Sequence, residues 1–348
     1  MLKARWASRS LRFRFEAGTS RGVLHEKQSW FLIVSDVAGN IGIGELNFIK
    51  GLSTANAERI PSTLDWFCDH INEPESLEKS KEIENHTLTF AIETAFADLK
   101  NGRQFLFGDT KFSSGEKGIP IHGLVWMGTS TQMRDRMFRK LDDGFKALKI
   151  KVGAIDFDEE LRLLETLRNH PRGAEIELRL DANGAFQAKD AMKKLRQLAE
   201  FKIHSIEQPV KPADYDLLRE LCQTSPIPVA LDEQLIEFRP KEAKGQLLTD
   251  LSPSFLVLKP SLIGGFKQAD EWVELAEKRG IAWWVSSALE SNVGLNALAQ
   301  WVASKNNELV QALGTGQLFS NNIPSPLELK NDRLFYQPHQ TWLLDTLN

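Results

Sequence analysis

The chain is poor in cysteine: Cys68 and Cys222 are the only two in 348 residues, and they lie far apart. No disulfide framework and no cysteine zinc site can be assembled from such a pair, so two buried, reduced thiols are expected. No apolar run reaches membrane-spanning length, which argues against a membrane partner. The formal net charge is −4; a chain with no basic excess sets up no field that gathers nucleic acid. Low-complexity tracts are also lacking. The first fifteen residues hold several arginines and no acid, as a transit peptide would. However, Leu11, Phe13 and Phe15 alternate with Arg12, Arg14 and Glu16, the period of a half-buried strand. The expectation is a cytoplasmic protein whose first strand begins almost at once.

What is present divides into two rhythms. Residues 1 to about 47 suggest antiparallel strands, with a strong candidate at 29–35, a turn at Asp36–Asn40 and a return over Ile41–Glu45. The glycines of the return run Gly39-x-x-Gly42-x-Gly44, which is not the dinucleotide fingerprint and fits a turn plus a tight strand. Helical patterning follows to about 107. It is clearest over Thr87–Lys100, where Leu88, Ala91, Ile92, Ala95 and Leu99 share a face and Asn101-Gly102 supplies a stop. From about 119, short apolar runs recur at Ile119–Trp126, Ala147–Val152, Ile176–Leu180, Ile203–Ile206, Pro228–Leu231, Phe255–Leu258, Ala282–Val285 and Leu309–Leu313, most of them separated by charged, helix-periodic segments. Eight such units predict a parallel sheet closed into a barrel, with an open doubly wound sheet as the alternative. The expected division is an α+β capping domain over 1–115, an α/β barrel over 116–322, and a tail over 323–348 that returns toward the cap. The loops around Gly18–Leu24 and Ile49–Ser53 are suited to covering the barrel mouth.

Function in a barrel sits at the carboxyl ends of its strands. Asp181, Glu207 and Asp232 each follow an apolar run, on three successive strands. Adjacent parallel strands lie about 4.8 Å apart, so three such acids would repel one another unless protonated or bridged by a cation. Hard oxygen ligands suit Mg2+, with Mn2+ as a substitute. Any one of these acids could instead cap a following helix; three in succession fit a metal better. Lys149 and Lys151, two apart, point to the same side of their strand. Held together they would depress each other's pKa and make one a usable base. Lys259 ends the sixth run, across the mouth. Most lysines are solvated surface charge, but Lys259 follows Phe255-Leu-Val-Leu258 and precedes a proline. Lysines flanking a metal suit removal of a proton from a carbon next to a carboxylate.

These residues, as Lys149-x-Lys151, Asp181-Ala-Asn183, Glu207-Gln-Pro209, Asp232-Glu233 and Lys259-Pro260, resemble in order and spacing the muconate-lactonising branch of the enolase superfamily, over nearly the whole chain. Within that branch, Ser286-Ser-Ala-Leu-Glu-Ser-Asn-Val-Gly-Leu295 is similar to the strand-seven segment of o-succinylbenzoate synthases, although acylamino-acid racemases share much of it. The resemblance implies a modified TIM-type (β/α)7β barrel with an N-terminal α+β capping domain. It also implies Mg2+-dependent dehydration of a succinyl-hydroxycyclohexadiene carboxylate, through an enediolate, in menaquinone synthesis. On this basis Lys151 is the base and then the acid, and Lys259 stays cationic opposite it. Lys149 binds carboxylate and tunes Lys151. Asp181, Glu207 and Asp232 hold the metal; Asn183 and Glu233 orient these ligands. Ser286, Ser287 and the backbone near Ala288 face the succinyl end, and Glu290 is an orienting group. The expected partner is a small-molecule carboxylate.

The alternatives are an N-acylamino acid racemase or dipeptide epimerase, a muconate-lactonising enzyme, and a barrel that binds metal and ligand without catalysis. Leu313–Phe319 holds no acid to grip the ammonium of a dipeptide, and no histidine lies between His204 and His339 to act as a mandelate-type base. A non-catalytic barrel would have no chemical need for both lysines.

Overall fold

The alternating pattern at the amino end becomes a long strand, Lys3–Thr19 (β1), which pairs antiparallel with Gly22–Ser35 (β2). A turn closed by Asp36, whose Oδ1 accepts the N–H groups of Ala38 and Asn40, leads into Ile41–Asn47 (β3) on the far side of β2. In this computed structural model the described residues are 1–19, 22–73, 86–102, 105–344 and 347. Two of the three glycines near β3 have a packing reason. A Cβ on Gly42 would lie 2.0 Å from the Ala95 carbonyl oxygen, and one on Gly44 would lie 1.8 Å from that of Ala91. The helix His86–Asn101 therefore rests directly on the strand backbone. Its Leu88, Ala91, Ile92 and Ala95 bury against Leu32, Val34 and Leu46. The opposite face of the sheet, with Phe31, Ile33 and Ile43, packs on Val293.

The run Ile119–Trp126 divides in two. Ile119–Pro120 (β4) pairs away from the main sheet, and Gly123–Val125 (β5) enters it. Ala147–Lys151 (β6), Glu177–Asp181 (β7), Ser205–Glu207 (β8), Val229–Leu231 (β9), Phe255–Leu258 (β10) and Ala282–Val285 (β11) follow in parallel, in the spatial order β11-β10-β9-β8-β7-β6-β5. The eighth run, Leu309–Leu313, is not an extended strand. Only Gln311 and Ala312 bridge, the first to Ile121 and the second to Ser286. Gln311 N–H donates to Pro120 O (2.8 Å), and Ala312 N–H to Val285 O (2.8 Å). These two residues link the sheet's edges, so it curls on itself. Ala230, Val257, Trp284 and Ala312 fill its interior, with the Arg179 guanidinium 4.2 Å from the Trp284 ring centroid.

The tail contains a hairpin that its irregular sequence does not suggest: Leu327–Lys330 (β12) and Arg333–Tyr336 (β13), the latter paired with β4. Beyond it, Trp342 lies against Phe105 and the Leu347 carbonyl accepts from Arg5. Among the described residues no helix is long and apolar enough to cross a membrane.

The N-terminal unit is fastened to the curled sheet by buried polar contacts. His86 Nδ1 lies 2.8 Å from the Leu262 carbonyl, and Nε2 faces Arg239 Nε at 2.5 Å. The neutral ring, with its proton on Nδ1, satisfies both. Burial and then the Arg239 charge push its pKa down to about 4. A histidine depressed in the folded state contributes stability that is full above its unfolded pKa of about 6.5 and is lost as pH falls toward 4. Unfolding free energy is expected to drop by about 3 kcal/mol over that window from this group. Urea unfolding of wild type and His86→Leu at pH 7 and pH 4 checks it. The variant should be the less acid-sensitive of the two, and equal acid sensitivity would show that His86 is not the titrating group.

Candidate active site

Side chains two apart on a strand share a face, so Lys149 and Lys151 both point into the curled sheet. The register pairs Lys151 with Asp181 and Asp181 with Glu207, which aligns the ends of β6, β7 and β8 in one row. Asp232 follows β9, and Lys259 follows β10. Lys151 and Lys259 thus flank the three acids, one on either side.

All three carboxylates are buried. Lys149 donates to both oxygens of Glu207 (3.1 and 2.9 Å) and lies 3.1 Å from Asp181 Oδ2. Lys151 donates to Asp181 Oδ2 (2.6 Å) and Asn183 Oδ1 (2.5 Å). Asn183, in the left-handed region at φ 44°, donates from Nδ2 to Glu233 Oε1 at 3.0 Å. Lys259 is hydrogen-bonded to Asp232 Oδ2, whereas the buried Asp232 Oδ1 has no hydrogen-bond partner among the described residues. Nor, among those residues, do three acidic, histidine or cysteine groups converge as ligands on one point; the Lys149 ammonium stands between Asp181 and Glu207.

The electrostatics differ from the sequence expectation at one point. Burial works against the Lys149 charge, but Glu207 and Asp181 outweigh burial and raise its pKa, so its lysine neighbour does not decide its charge. Burial likewise opposes the Lys259 charge, and Asp232, Glu233 and Glu207 more than reverse it, which keeps this ammonium protonated. Asp181, which burial alone would raise, is driven far below the carboxylate range by Lys151 and Lys149.

Above this row is a cavity of about 630 Å3. Its base includes Lys149, Lys151, Asn183, Glu233 and Lys259, and Ser286, Ser287 and Ala288 form one side. Apolar groups such as Leu124, Trp126, Met127 and Leu262 make the walls, and the N-terminal unit closes the top with Trp30, Phe48 and residues 49–52 of the expected covering loop. In the Gly18–Leu24 loop, Leu24 also lines the cavity, while Ser20 and Arg21 lie outside the described residues. Glu290 is fully buried and does not face the opening. It accepts from Ser261, Ser287, Ala288 N–H (2.7 Å) and, more weakly, Asn47 (3.3 Å). Burial raises its pKa, and the two serine hydroxyls only partly oppose this.

Several lining or supporting residues escaped the sequence reading: Lys27, Glu45, Asn47, His122 and Thr315. For Lys27, Glu45 and Asn47 a signal existed. Lys27 shares its strand phase with Phe31 and Ile33, and Glu45 and Asn47 share theirs with Ile43, so polar groups occupy core-facing positions. His122 shares its phase with Leu124. It is 3% exposed, with both ring nitrogens unpartnered among the described residues. Burial and the nearby Lys149 and Arg179 charges keep it neutral.

Residues 132–336 match the family of enolase C-terminal domain-like proteins. The chain is 40% identical, over 90% of its own length and 94% of the relative's, to the o-succinylbenzoate synthase of Desulfotalea psychrophila. It is 32% identical to the L-Ala-D/L-Glu epimerase of Bacillus subtilis, over 55% of this chain and 49% of that protein. The crystal structure of MenC from Desulfotalea psychrophila superposes with a TM-score of 0.84 at 35% identity, covering 96% of this chain and 99% of that one. The chain therefore belongs to the enolase C-terminal domain-like family, on the branch that includes the Desulfotalea o-succinylbenzoate synthase.

Proposed function

We propose that the protein is an o-succinylbenzoate synthase, a lyase that dehydrates a succinyl-hydroxycyclohexadiene carboxylate to an aromatic product. The observation that carries this is the pair of lysines, Lys151 and Lys259, flanking three buried strand-end carboxylates beneath an apolar cavity. The choice of substrate comes from kinship with the Desulfotalea synthase along nearly the whole chain. We take the curled sheet as a (β/α)7β barrel over 116–322, and the unit over 1–115 as its cap, with 323–348 returning to it.

The donor set fits Mg2+, with Mn2+ able to substitute: three buried carboxylates on adjacent strands, one oxygen of which, Asp232 Oδ1, has no hydrogen-bond partner among the described residues. Asp181, Glu207 and Asp232 would hold the ion, in competition with the lysines that now pair with them. When bound, it supplies positive charge to the substrate carboxylate.

The remaining chemistry belongs to the side chains. Lys151, as the free amine, takes the proton from the ring carbon bearing the carboxylate, and the electrons of that C–H bond spread onto the carboxylate. The C–O bond to the ring hydroxyl then breaks on the same face. The proton on Lys151 leaves with that oxygen as water, which returns the amine and leaves an aromatic ring. Lys259 keeps its charge throughout and stabilises the negative charge from the opposite face, aided by cation–π attraction to the forming ring. Lys149 anchors Glu207 and Asp181. Asn183 orients Lys151 and is itself held by Glu233. Glu290 fixes Ser287 and the Ala288 N–H, beside which the succinyl chain would lie.

With purified protein, the succinyl-cyclohexadiene substrate and Mg2+, ultraviolet absorbance should report an aromatic product. Chelation should abolish its formation, and added Mg2+ or Mn2+ should restore it. Absence of an aromatic product, with deuterium exchange at the α-carbon of an acylated amino acid in heavy water, would favour a racemase instead.

A further inference from the structure

We propose that Lys27 is a specificity-determining residue: its ammonium receives the carboxylate at the far end of the substrate's acyl tail, so the site selects dicarboxylates. The inference rests on the function proposed above and adds a second recognition point to it.

Lys27 lines the cavity from the N-terminal sheet yet is only 7% exposed. An ammonium has three N–H donors. Among the described residues Lys27 makes one hydrogen bond, to Ser29 Oγ at 2.6 Å, and its nearest carboxylate oxygen is Glu45 Oε1 at 3.9 Å. Glu45 is already committed. It accepts from Ser291 N–H and Oγ, Gly294 N–H and Ser29 Oγ, which places its charge at the start of the helix Asn292–Ser304, where the helix dipole favours it. The other acid near Lys27 is Glu290, whose oxygens are held by Ser261, Ser287 and Ala288. Burial pulls the Lys27 pKa down, and Glu45 and Glu290 only partly offset this, so the charge is incompletely paired. A buried, underpaired ammonium on a cavity wall favours a carboxylate ligand, since such charge-assisted hydrogen bonds are strong.

Its position suits a tail. The strand-end lysines lie at the base of the cavity. Lys27 lies on the cap side, joined through Ser29, Glu45 and Ser291 to the segment beyond β11 that carries Ser287 and Glu290. Apolar walls separate the two cationic ends. A ligand charged only at the ring end would leave Lys27 buried and unsatisfied, the kind of mismatch that discriminates strongly.

The test compares wild type, Lys27→Met and Lys27→Arg in the Mg2+-loaded protein, with circular dichroism as the folding control. Calorimetry measures binding of o-succinylbenzoate and of its tail-amide analogue, which lacks the distal charge. Wild type should bind the dicarboxylate about 100-fold more tightly than the amide. Lys27→Met should lose that preference by weakening the dicarboxylate alone, and Lys27→Arg should recover part of it. In turnover the same loss should fall on KM, with kcat within a few-fold. Equal affinity of wild type for the two ligands overturns the inference, as does an equal loss on both in Lys27→Met. A protein that binds both ligands without forming an aromatic product would refute the proposed reaction and leave the binding comparison to decide on Lys27.

Discussion

Lys151→Ala is expected to lower turnover by about 10³-fold or more while the protein still folds. The fold should survive because Asp181 stays paired and Asn183, only half-buried, can give its freed Oδ1 to water. Asp181 keeps Lys149 at 3.1 Å, and Asn183 keeps Glu233 at 3.0 Å. The chemistry should not survive, because no other amine reaches the same face of the substrate: Lys259 is on the far side of the acids, bound to Asp232, and Lys149 is held by Glu207 and Asp181. Lys151→Arg separates two roles. A guanidinium keeps the positive charge but does not give up its proton in a protein, so it would preserve an electrostatic function and not a base. Single-turnover kinetics should find both variants inactive, with normal unfolding curves. An active Lys151→Arg enzyme would reduce Lys151 to a source of charge, and an active Lys151→Ala enzyme would remove it from the mechanism.

Much of this arrangement could be read from the chain because barrel-type sheets place chemistry in sequence-local units. Lys149-x-Lys151, Asp181 and Glu207 each end a short apolar run, and the parallel register brings those ends into one row. Contacts made between distant segments were harder to read. Leu309–Leu313 has the composition of a strand, but only Gln311 and Ala312 bridge, because they must reach two edges at once. Ile119–Trp126 reads as a single run, yet Pro120 has no N–H for a central ladder, and its segment pairs with the tail hairpin. The two glycines of Gly42-x-Gly44 record the close approach of a helix that starts more than forty residues later. The mutual depression expected of Lys149 and Lys151 does not set the pKa of Lys149, for the same reason. The sequence places Lys151 beside it, whereas its actual neighbours, Glu207 and Asp181, arrive from two other strands. Lys27 and Glu45 were visible only as polar residues out of phase in apolar strands, a pattern whose meaning depends on what the sheet is packed against.

Unlike Lys151→Ala, Glu207→Gln should lower stability as well as activity. Glu207 is the middle acid of the three and accepts twice from Lys149, which is 4% exposed. An amide of the same shape keeps one acceptor, loses the charge, and turns an N–H2 group toward an ammonium. Breaking a buried pair from one side leaves the other charge uncompensated, at a cost of about 3–5 kcal/mol. The lower end, about 3 kcal/mol, is expected because Asp181 remains 3.1 Å from Lys149. Activity should fall by about 10³-fold or more, since the proposed ion would lose its central ligand. Adding Lys149→Met separates the two losses. The double variant no longer buries an unpaired ammonium, so much of the stability should return in urea unfolding, whereas activity and Mg2+ affinity should stay low. Non-additivity in stability without recovery of function is the signature of an acid with two separate tasks, balancing Lys149 and binding metal. Full recovery of turnover in the double variant would mean that Glu207 serves only to hold Lys149 in place.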